Sequence, residues 1–450
     1  MSEPIISVSG LRGIVGESLT PEIAIRYVAA FSAFAPSGAL VVTRDGRPSG
    51  AMLAEAVHAG LHAVGRGTIE AGIAATPTTG VLIRALGAAG GIQISASHNP
   101  PQYNGLKLFS AEGRVIPAGP GQAVLARYRS GRIDWVEPDR LGGMESCTDP
   151  LGPHLRALLA TVDVQRIRSQ RFHVLLDSNH GAGSVLGRRL LNELGCRATL
   201  IGGEPDGRFE HTPEPTAENL AGVFSLVREA EADVGFCQDP DADRLAVIDA
   251  SGRYLGEEYT LAMCVDHVLR RRPGPIVTNC ATSRMSEDLA AKYGVPFFRS
   301  AVGEANVVDA MLAHGAVFGG EGNGGPIDPR VGLVRDSFVG MALLLDAMAV
   351  RGATIAQLAD ALPRYQIVKT KIVLAPEKVP AGLDALARHF RDAKADRLDG
   401  LRLDWPERWL LVRPSNTEPI VRAIAEAQSE TEARRLCEEA ARVLEEAARG

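Results

Sequence analysis

Short apolar runs recur along the chain, and several lead through a polar turn into a helix-length segment that stops at a glycine. Residues 40–43 lead through Arg44-Asp45-Gly46-Arg47-Pro48 into a helix ending near Gly65. Residues 172–176 lead through Asp177-Ser178-Asn179-His180-Gly181 into a helix ending near Gly195. Ile276 and Val277 lead through Thr278-Asn279-Cys280-Ala281-Thr282 into a helix ending near Gly294. A glycine just past the last periodic residue is the expected helix stop. A strand, a helix and a second strand at this spacing form a right-handed crossover in a parallel or mixed sheet. Three such units predict three related α/β domains. Beyond Tyr365 the pattern changes to a β-rich stretch at 366–374 and a final amphipathic helix. In that helix Ser429 and Glu432 form a capping box, and Ala433, Leu436, Cys437, Ala440, Leu444 and Ala447 share one face. Loop-like stretches at 138–153, 249–256 and 363–366 divide the chain into expected domains at 1–145, 146–250, 251–364 and 365–450.

Composition narrows the class. A chain of 450 residues exceeds what one core holds, in agreement with several domains. A net charge of −6, without a basic patch interleaved with aromatics, excludes a general nucleic-acid binder. The apolar run at 341–345 is broken by Asp346 well short of a membrane span, so no membrane partner is expected. Met1-Ser2-Glu3-Pro4 lacks the basic start and apolar stretch of a signal peptide. Cys147, Cys196, Cys237, Cys264, Cys280 and Cys437 show no paired spacing. They read as reduced thiols of a cytoplasmic protein, with neither disulfide nor zinc.

The segment Asp239-Pro240-Asp241-Ala242-Asp243-Arg244 carries the strongest chemistry. Its carboxylates alternate, so in an extended backbone Asp239, Asp241 and Asp243 point the same way. Apolar runs at 232–237 and 245–248 flank it, which argues against a solvated acidic turn. Three converging like charges repel unless a cation lies between them, and an all-oxygen set suits Mg²⁺, Ca²⁺ or Mn²⁺ rather than zinc. An EF-hand is excluded, because Arg244 and Ala250 stand where its glycine and its last glutamate belong. Carboxylates that hold Mg²⁺ usually present it to a phosphate, which directs attention to Ser95-Ala96-Ser97-His98-Asn99-Pro100-Pro101. Residues 90–94 read as a buried strand, and the two prolines force a loop after it. A serine hydroxyl needs a base, a cation or a metal nearby to act as a nucleophile. His98 is the chain neighbour of Ser97, and Lys107 is expected within the same loop.

With these motifs in place the chain resembles the alpha-D-phosphohexomutases. Ser9-Gly10-Leu11-Arg12-Gly13 is similar to that family's N-terminal arginine loop, and residues 42–49 to its first strand and turn. The serine and aspartate loops match in order, followed by Gly320-Glu321-Gly322-Asn323-Gly324, similar to the sugar-recognition loop. Arg413-Pro414-Ser415-Asn416-Thr417-Glu418-Pro419, with Arg422 beyond it, is similar to the phosphate-binding loop. The resemblance implies four domains around a central cleft: three related α/β mixed-sheet domains and a smaller C-terminal α+β domain. It implies phosphoserine at Ser97, Mg²⁺ on Asp239, Asp241, Asp243 and the Ser97 phosphate, and a hexose 1,6-bisphosphate as activator and intermediate. Lys107 and His98 become the proton-handling candidates, assisted by Arg12. Glu321 and Asn323 become sugar ligands, and Arg413, Ser415, Asn416, Thr417 and Arg422 a clamp for the non-reacting phosphate. The clamp loop also reads as the N-cap of a helix after Pro419. The implied partner is a small sugar phosphate, and a homodimer is admitted.

The family's commonest sugar loop reads Gly-Glu-x-Ser-Gly-His, whereas this chain has Asn323 and Gly325 at the last variable positions. An Asn offers both a donor and an acceptor, and the Glu321 carboxylate attracts an ammonium, which together point to glucosamine 6-phosphate and glucosamine 1-phosphate. Phosphomannomutase or phosphoglucomutase activity is the alternative. Glycine in place of histidine predicts a roomier pocket with one donor fewer. A metal-dependent phosphatase would need further His and Asp ligands. A non-catalytic sensor should have lost Ser97 or an aspartate.

Overall fold

The computed structural model describes residues 3–7, 10–414 and 420–449. Its first three units repeat one path: strand, helix, strand, helix, strand, then an antiparallel return. In the first unit the path is Leu40–Arg44, Gly50–Ala63, Thr68–Ile73, Thr76–Ala85, Gly90–Ile94 and Tyr103–Ser110. In the second it is His173–Asp177, Gly183–Glu193, Arg197–Ile201, Ala221–Glu229, Val234–Gln238 and Leu245–Asp249. In the third it is Ile276–Asn279, Met285–Lys292, Phe297–Ser300, Glu304–His314, Phe318–Glu321 and Gly325–Ile327. Each sheet places the second strand beside the first, the first beside the third, and the third beside the antiparallel fourth. The first sheet is extended by Ile5–Ser7 and Gly10–Ile14 on one side and by Met144–Ser146 on the other. Helices cover both faces of the parallel strands, so Gly90–Ile94, His173–Asp177 and Val234–Gln238 are buried along their whole length.

The fourth unit is a five-stranded antiparallel sheet in the order Gln366–Val373, Ile420–Ala427, Trp409–Pro414, Leu401–Asp404, Lys394–Asp396. Residues 420–427 are therefore a strand and not the helix expected after Pro419. The eight-residue pairing with Gln366–Val373 satisfies their backbone along its length. The final helix, Glu430–Arg449, buries Ala433, Leu436, Cys437, Ala440 and Leu444 as the pattern predicts. Its capping box is formed on one side: Ser429 Oγ accepts from Glu432 N at 3.3 Å, while the Glu432 carboxylate accepts from Arg408 at 2.7 Å. Among the described residues no helix is long and apolar enough to cross a membrane.

The units share cores rather than meeting at thin seams. Helix Ser337–Arg351 packs on Glu257–Arg271 of its own unit and on Gly152–Leu159 and Val164–Gln170 of the second. One apolar cluster therefore runs from Leu155 and Val174 through Leu261 and Phe318 to Phe338. The fourth sheet docks on the third unit through Trp409, Leu411 and Ile424 against Cys280. The indole of Trp409 is fully buried, donates to Glu426 Oε1 at 2.7 Å and lies 4.1 Å beneath the Arg402 guanidinium. Glu426 Oε1 also accepts from Arg284 N of the third unit at 3.0 Å. Removing this side chain empties a full aromatic volume and strips Glu426 of a donor. Trp409→Ala is expected to cost about 3–5 kcal/mol, read as a lower Tm and faster proteolysis of the fourth unit. An unchanged melting profile would contradict this docking.

Candidate active site

The three hairpin turns of the repeated units open at the C-terminal ends of the parallel strands, the edge where open α/β sheets bind ligands. They are the serine loop after Gly90–Ile94, the aspartate loop after Val234–Gln238 and the glutamate loop after Phe318–Glu321. Each turn contains a residue at positive φ: Ser97 at 50°, Ala242 at 55° and Gly324 at 81°. For Ser97 that conformation costs about 1–3 kcal/mol and persists only where surrounding contacts impose it.

Arg47 imposes it. Its Nη2 donates to Ser97 O at 2.7 Å and Asn99 O at 2.6 Å, and its Nη1 to Pro100 O at 2.8 Å and Tyr103 O at 3.0 Å. Its Nε donates to Asp45 Oδ2 at 3.2 Å, so every donor of the buried guanidinium is used. Ser95 Oγ donates to the same Asp45 oxygen at 2.6 Å and accepts from Ser97 N at 2.9 Å. Arg47 and Asp45 lie in the first polar turn, whose role in holding the serine loop the sequence does not disclose.

Ser97 Oγ donates to Asp239 Oδ2 at 2.8 Å across 142 residues of chain. Asp239 Oδ1 accepts from the backbone N–H groups of Asp243 and Arg244, each at 3.1 Å, so the aspartate loop folds over its own first carboxylate. One oxygen from each of Asp239, Asp241 and Asp243 lies within 4.8 Å of the others, and all three residues are buried. Asp241 Oδ1 and Asp243 Oδ1 have no hydrogen-bond partner among the described residues. Buried carboxylate oxygens without a partner are costly, and an all-oxygen trio fits a hard divalent cation. Burial, reinforced by the neighbouring Asp241 and Asp243 charges, pushes the Asp239 carboxyl well above the usual carboxylate range.

Cations surround the trio. Lys107 Nζ donates to Asp241 Oδ2 at 2.5 Å and Asp243 Oδ2 at 3.1 Å. Burial disfavours the ammonium, but these two carboxylates outweigh it and raise its pKa. Thr76 Oγ1 donates to Asp241 Oδ2 at 2.5 Å. Burial opposes ionisation of Asp241, yet Lys107 and Thr76 hold its carboxyl below the ordinary range. Arg12 Nη1 donates to Asn99 Oδ1 at 3.0 Å and lies on the strand that pairs with Tyr103–Ser110. His98 Nδ1 lies 3.3 Å from Ser97 Oγ. Burial, then the Arg244 and Arg12 charges, push its imidazole down to about 2, so it is neutral at physiological pH. Arg244 pairs with Glu214 at 3.3 Å rather than with the aspartates.

Glu321 ends its strand with Oε1 accepting from Asn279 Nδ2 at 2.7 Å and Gly303 N at 3.0 Å. Its Oε2 accepts from Arg335 Nη1 at 2.9 Å, and Arg335 Nη2 reaches Asp243 Oδ2 at 2.6 Å. The aliphatic arm of Arg335 occupies the space that a Cβ at Gly325 would take. Asn323 keeps a buried amide oxygen without a partner among the described residues. Arg413 donates to Asp399 Oδ2 at 3.0 Å, and the same oxygen accepts from Val302 N at 3.0 Å, beside the Gly303 that holds Glu321. Arg422 sits opposite Arg413 on the adjacent strand. Ser415, Asn416 and Thr417 lie outside the described residues. Thr76 and Arg335 carry no sequence signal of their own, and Arg47 and Asn279 stand in polar turns whose partners the sequence does not disclose, because only the tertiary fold brings them to these loops.

The Arg47 network generates a test. Lysine keeps the charge but not the planar fork, so Arg47→Lys leaves several serine-loop carbonyls without donors. It is expected to lower kcat by about 100-fold, as misplacement of a reacting group does, with a smaller effect on KM. A kcat close to that of the unaltered protein would show that the clamp is dispensable.

Each unit matches one described part of a single family. Residues 5–132, 153–252 and 257–365 match Phosphoglucomutase/phosphomannomutase, alpha/beta/alpha domains I, II and III respectively. Residues 370–443 match its C-terminal domain. The chain is 37% identical to a phosphoglucomutase/phosphomannomutase of Thermococcus kodakarensis over 98% of both chains. It is 35% identical to a probable phosphoglucosamine mutase of the same organism, again over 98% of both. Among solved structures it superposes on a phosphoglucomutase/phosphomannomutase family protein of Burkholderia thailandensis with a TM-score of 0.87, at 27% identity and 98% coverage of both chains. With its four units in family order and these full-length relatives, the chain belongs to the phosphoglucomutase/phosphomannomutase family of alpha-D-phosphohexomutases.

Proposed function

We propose that this protein interconverts hexose 6-phosphates and hexose 1-phosphates by way of phosphoserine at Ser97 and a hexose 1,6-bisphosphate. The observation that carries this reading is the contact between Ser97 Oγ and Asp239, with Asp241 and Asp243 beside it. Phosphoryl transfer asks for positioning and charge neutralisation rather than elaborate covalent chemistry. In the forward half-reaction the bond from phosphorus to Ser97 Oγ breaks, and a bond from phosphorus to a free sugar hydroxyl forms. As the bond to Ser97 Oγ breaks, the Lys107 ammonium gives a proton to that oxygen, and the amine so formed takes the proton of the attacking sugar hydroxyl, which restores the ammonium among the aspartates. The neutral His98 shapes the serine loop. The bisphosphate then turns over, and its other phosphoryl group returns to Ser97 with the opposite bond changes.

Asp239, Asp241, Asp243 and the Ser97 phosphate would hold Mg²⁺, which when bound offsets charge on the transferring group. Arg413, Arg422 and residues Ser415, Asn416 and Thr417 are proposed to clamp the distal phosphate, with the Arg413 fork suited to a bidentate contact. The link from Arg413 through Asp399 to Val302 supports coupling of that clamp to the sugar loop. Glu321 and Asn323 support glucosamine phosphate as a substrate. The guanidinium on the same Glu321 carboxylate weakens the case for a strong preference, so glucose and mannose phosphates belong to the proposed range.

Ser97→Ala is expected to lose essentially all turnover of hexose phosphates while melting like the unaltered protein. Intact-mass analysis of the unaltered protein should show a fraction carrying one phosphoryl group, absent from the variant. Near-normal turnover by the variant would sink the phosphoserine route.

Chelation is expected to abolish turnover, and added Mg²⁺ to restore it. Asp241→Asn keeps the shape but removes a charge, and should weaken apparent Mg²⁺ affinity by about 10–100-fold. Full activity in excess chelator would make the aspartate trio structural.

A further inference from the structure

Position 325 is where this chain departs most from the family's sugar loop, and the structure supplies a reason. A Cβ at Gly325 would lie 2.5 Å from Arg335 Cδ, 2.8 Å from Cγ and 2.9 Å from Cβ. The strand omits a side chain so that the arm of Arg335 can pass. That arm starts from a rigid base. Asp336, the next residue, caps helix Ser337–Arg351 by accepting from Phe338 N at 2.9 Å and Val339 N at 3.2 Å. Asp336 N donates to Pro326 O at 2.8 Å, which fastens the base of the arm to the returning strand of the sugar loop.

The guanidinium divides its donors among the start of helix Glu304–His314, the glutamate loop and the aspartate loop. Nε donates to Glu304 Oε2 at 2.9 Å, Nη1 to Glu321 Oε2 at 2.9 Å and Nη2 to Asp243 Oδ2 at 2.6 Å. Its side chain is only 11% exposed. Glu321 is thereby held from both oxygens, since Asn279 and Gly303 occupy the other one. A carboxylate held this way still accepts from sugar hydroxyls through its remaining lone pairs. An ammonium placed there meets a fixed guanidinium, which, unlike a histidine, keeps its charge throughout the physiological range.

We propose that Arg335 is a positioning and specificity residue: it fixes Glu321 for sugar hydroxyls, ties the sugar loop to the aspartate loop, and disfavours amino-sugar phosphates relative to neutral hexose phosphates. This deepens the mutase reading and rests on it. Arg335 acts through Glu321 and Asp243, and Gly325 is its structural counterpart.

The test compares kcat and KM for glucosamine, glucose and mannose 6-phosphates in Mg²⁺, with Tm recorded for every variant. Arg335→Met removes the charge and keeps most of the volume. It should raise KM for all three sugars and increase the glucosamine-to-glucose ratio of kcat/KM by about tenfold, as loss of one nearby like charge does. Arg335→Lys keeps the charge but loses the fork, so KM should rise with little change in that ratio. Gly325→Ala pushes the arm aside in an otherwise intact chain, and should move the ratio the same way as Arg335→Met but less. Added to Arg335→Met, it should have a smaller effect than alone. If Arg335→Met fails to fold, Gly325→Ala still carries the test. An unchanged ratio in the folded charge-removing or arm-displacing variant, whatever its Tm, overturns the proposal. Failure of the unaltered protein to turn over any hexose phosphate overturns the mutase reading, and this proposal with it.

Discussion

Three carboxylates buried on one turn are the constraint around which the molecule is organised. Asp239, Asp241 and Asp243 cannot all be charged in a water-poor setting without cations close by. The fold answers from several directions: Lys107 from the first unit, Arg335 from the third, and the backbone N–H groups of the aspartate loop itself. Ser97 is drawn into the same cluster by its bond to Asp239. The first three units thus meet through charged contacts at the centre as well as through apolar packing around it.

The repeated topology makes this convergence economical. One path, used three times, ends each time in an antiparallel hairpin whose turn projects from the C-terminal edge of the sheet. Three different loop chemistries occupy equivalent turns: a hydroxyl in the first, three carboxylates in the second, and a single glutamate in the third. The fourth unit departs from the repeat, and it meets the third through Trp409 and through the Asp399 bridge from Arg413 to Val302. The Arg413 strand of the fourth unit is therefore linked through a few hydrogen bonds to the segment that holds Glu321.

The fold class was legible because apolar runs, polar turns and helix-stopping glycines repeat at regular spacing. The serine and aspartate loops were legible because their chemistry is contiguous in the chain. What escaped has a different origin. Arg47 uses its two terminal nitrogens on the serine loop and its return strand, but the acceptors there are backbone carbonyls, which any sequence provides. Thr76 and Arg335 act from 165 and 92 residues away from the aspartates they touch. Gly325 read as one donor fewer and extra room, whereas the arm of Arg335 occupies the space its Cβ would take. The helix expected after Pro419 is the strand Ile420–Ala427, because pairing with Gln366–Val373 and Trp409–Pro414 decides its conformation, which no local signal discloses.

The account stands on Ser97 and the aspartate trio forming one phosphoryl-transfer centre. The most direct measurement is a rapid-quench single turnover. Protein carrying radiolabelled phosphate on Ser97 is mixed with an unlabelled hexose 6-phosphate in Mg²⁺. The account predicts that label leaves the protein and appears in hexose bisphosphate and monophosphate at least as fast as steady-state turnover. Label that stays on the protein, or emerges only as inorganic phosphate, would contradict it.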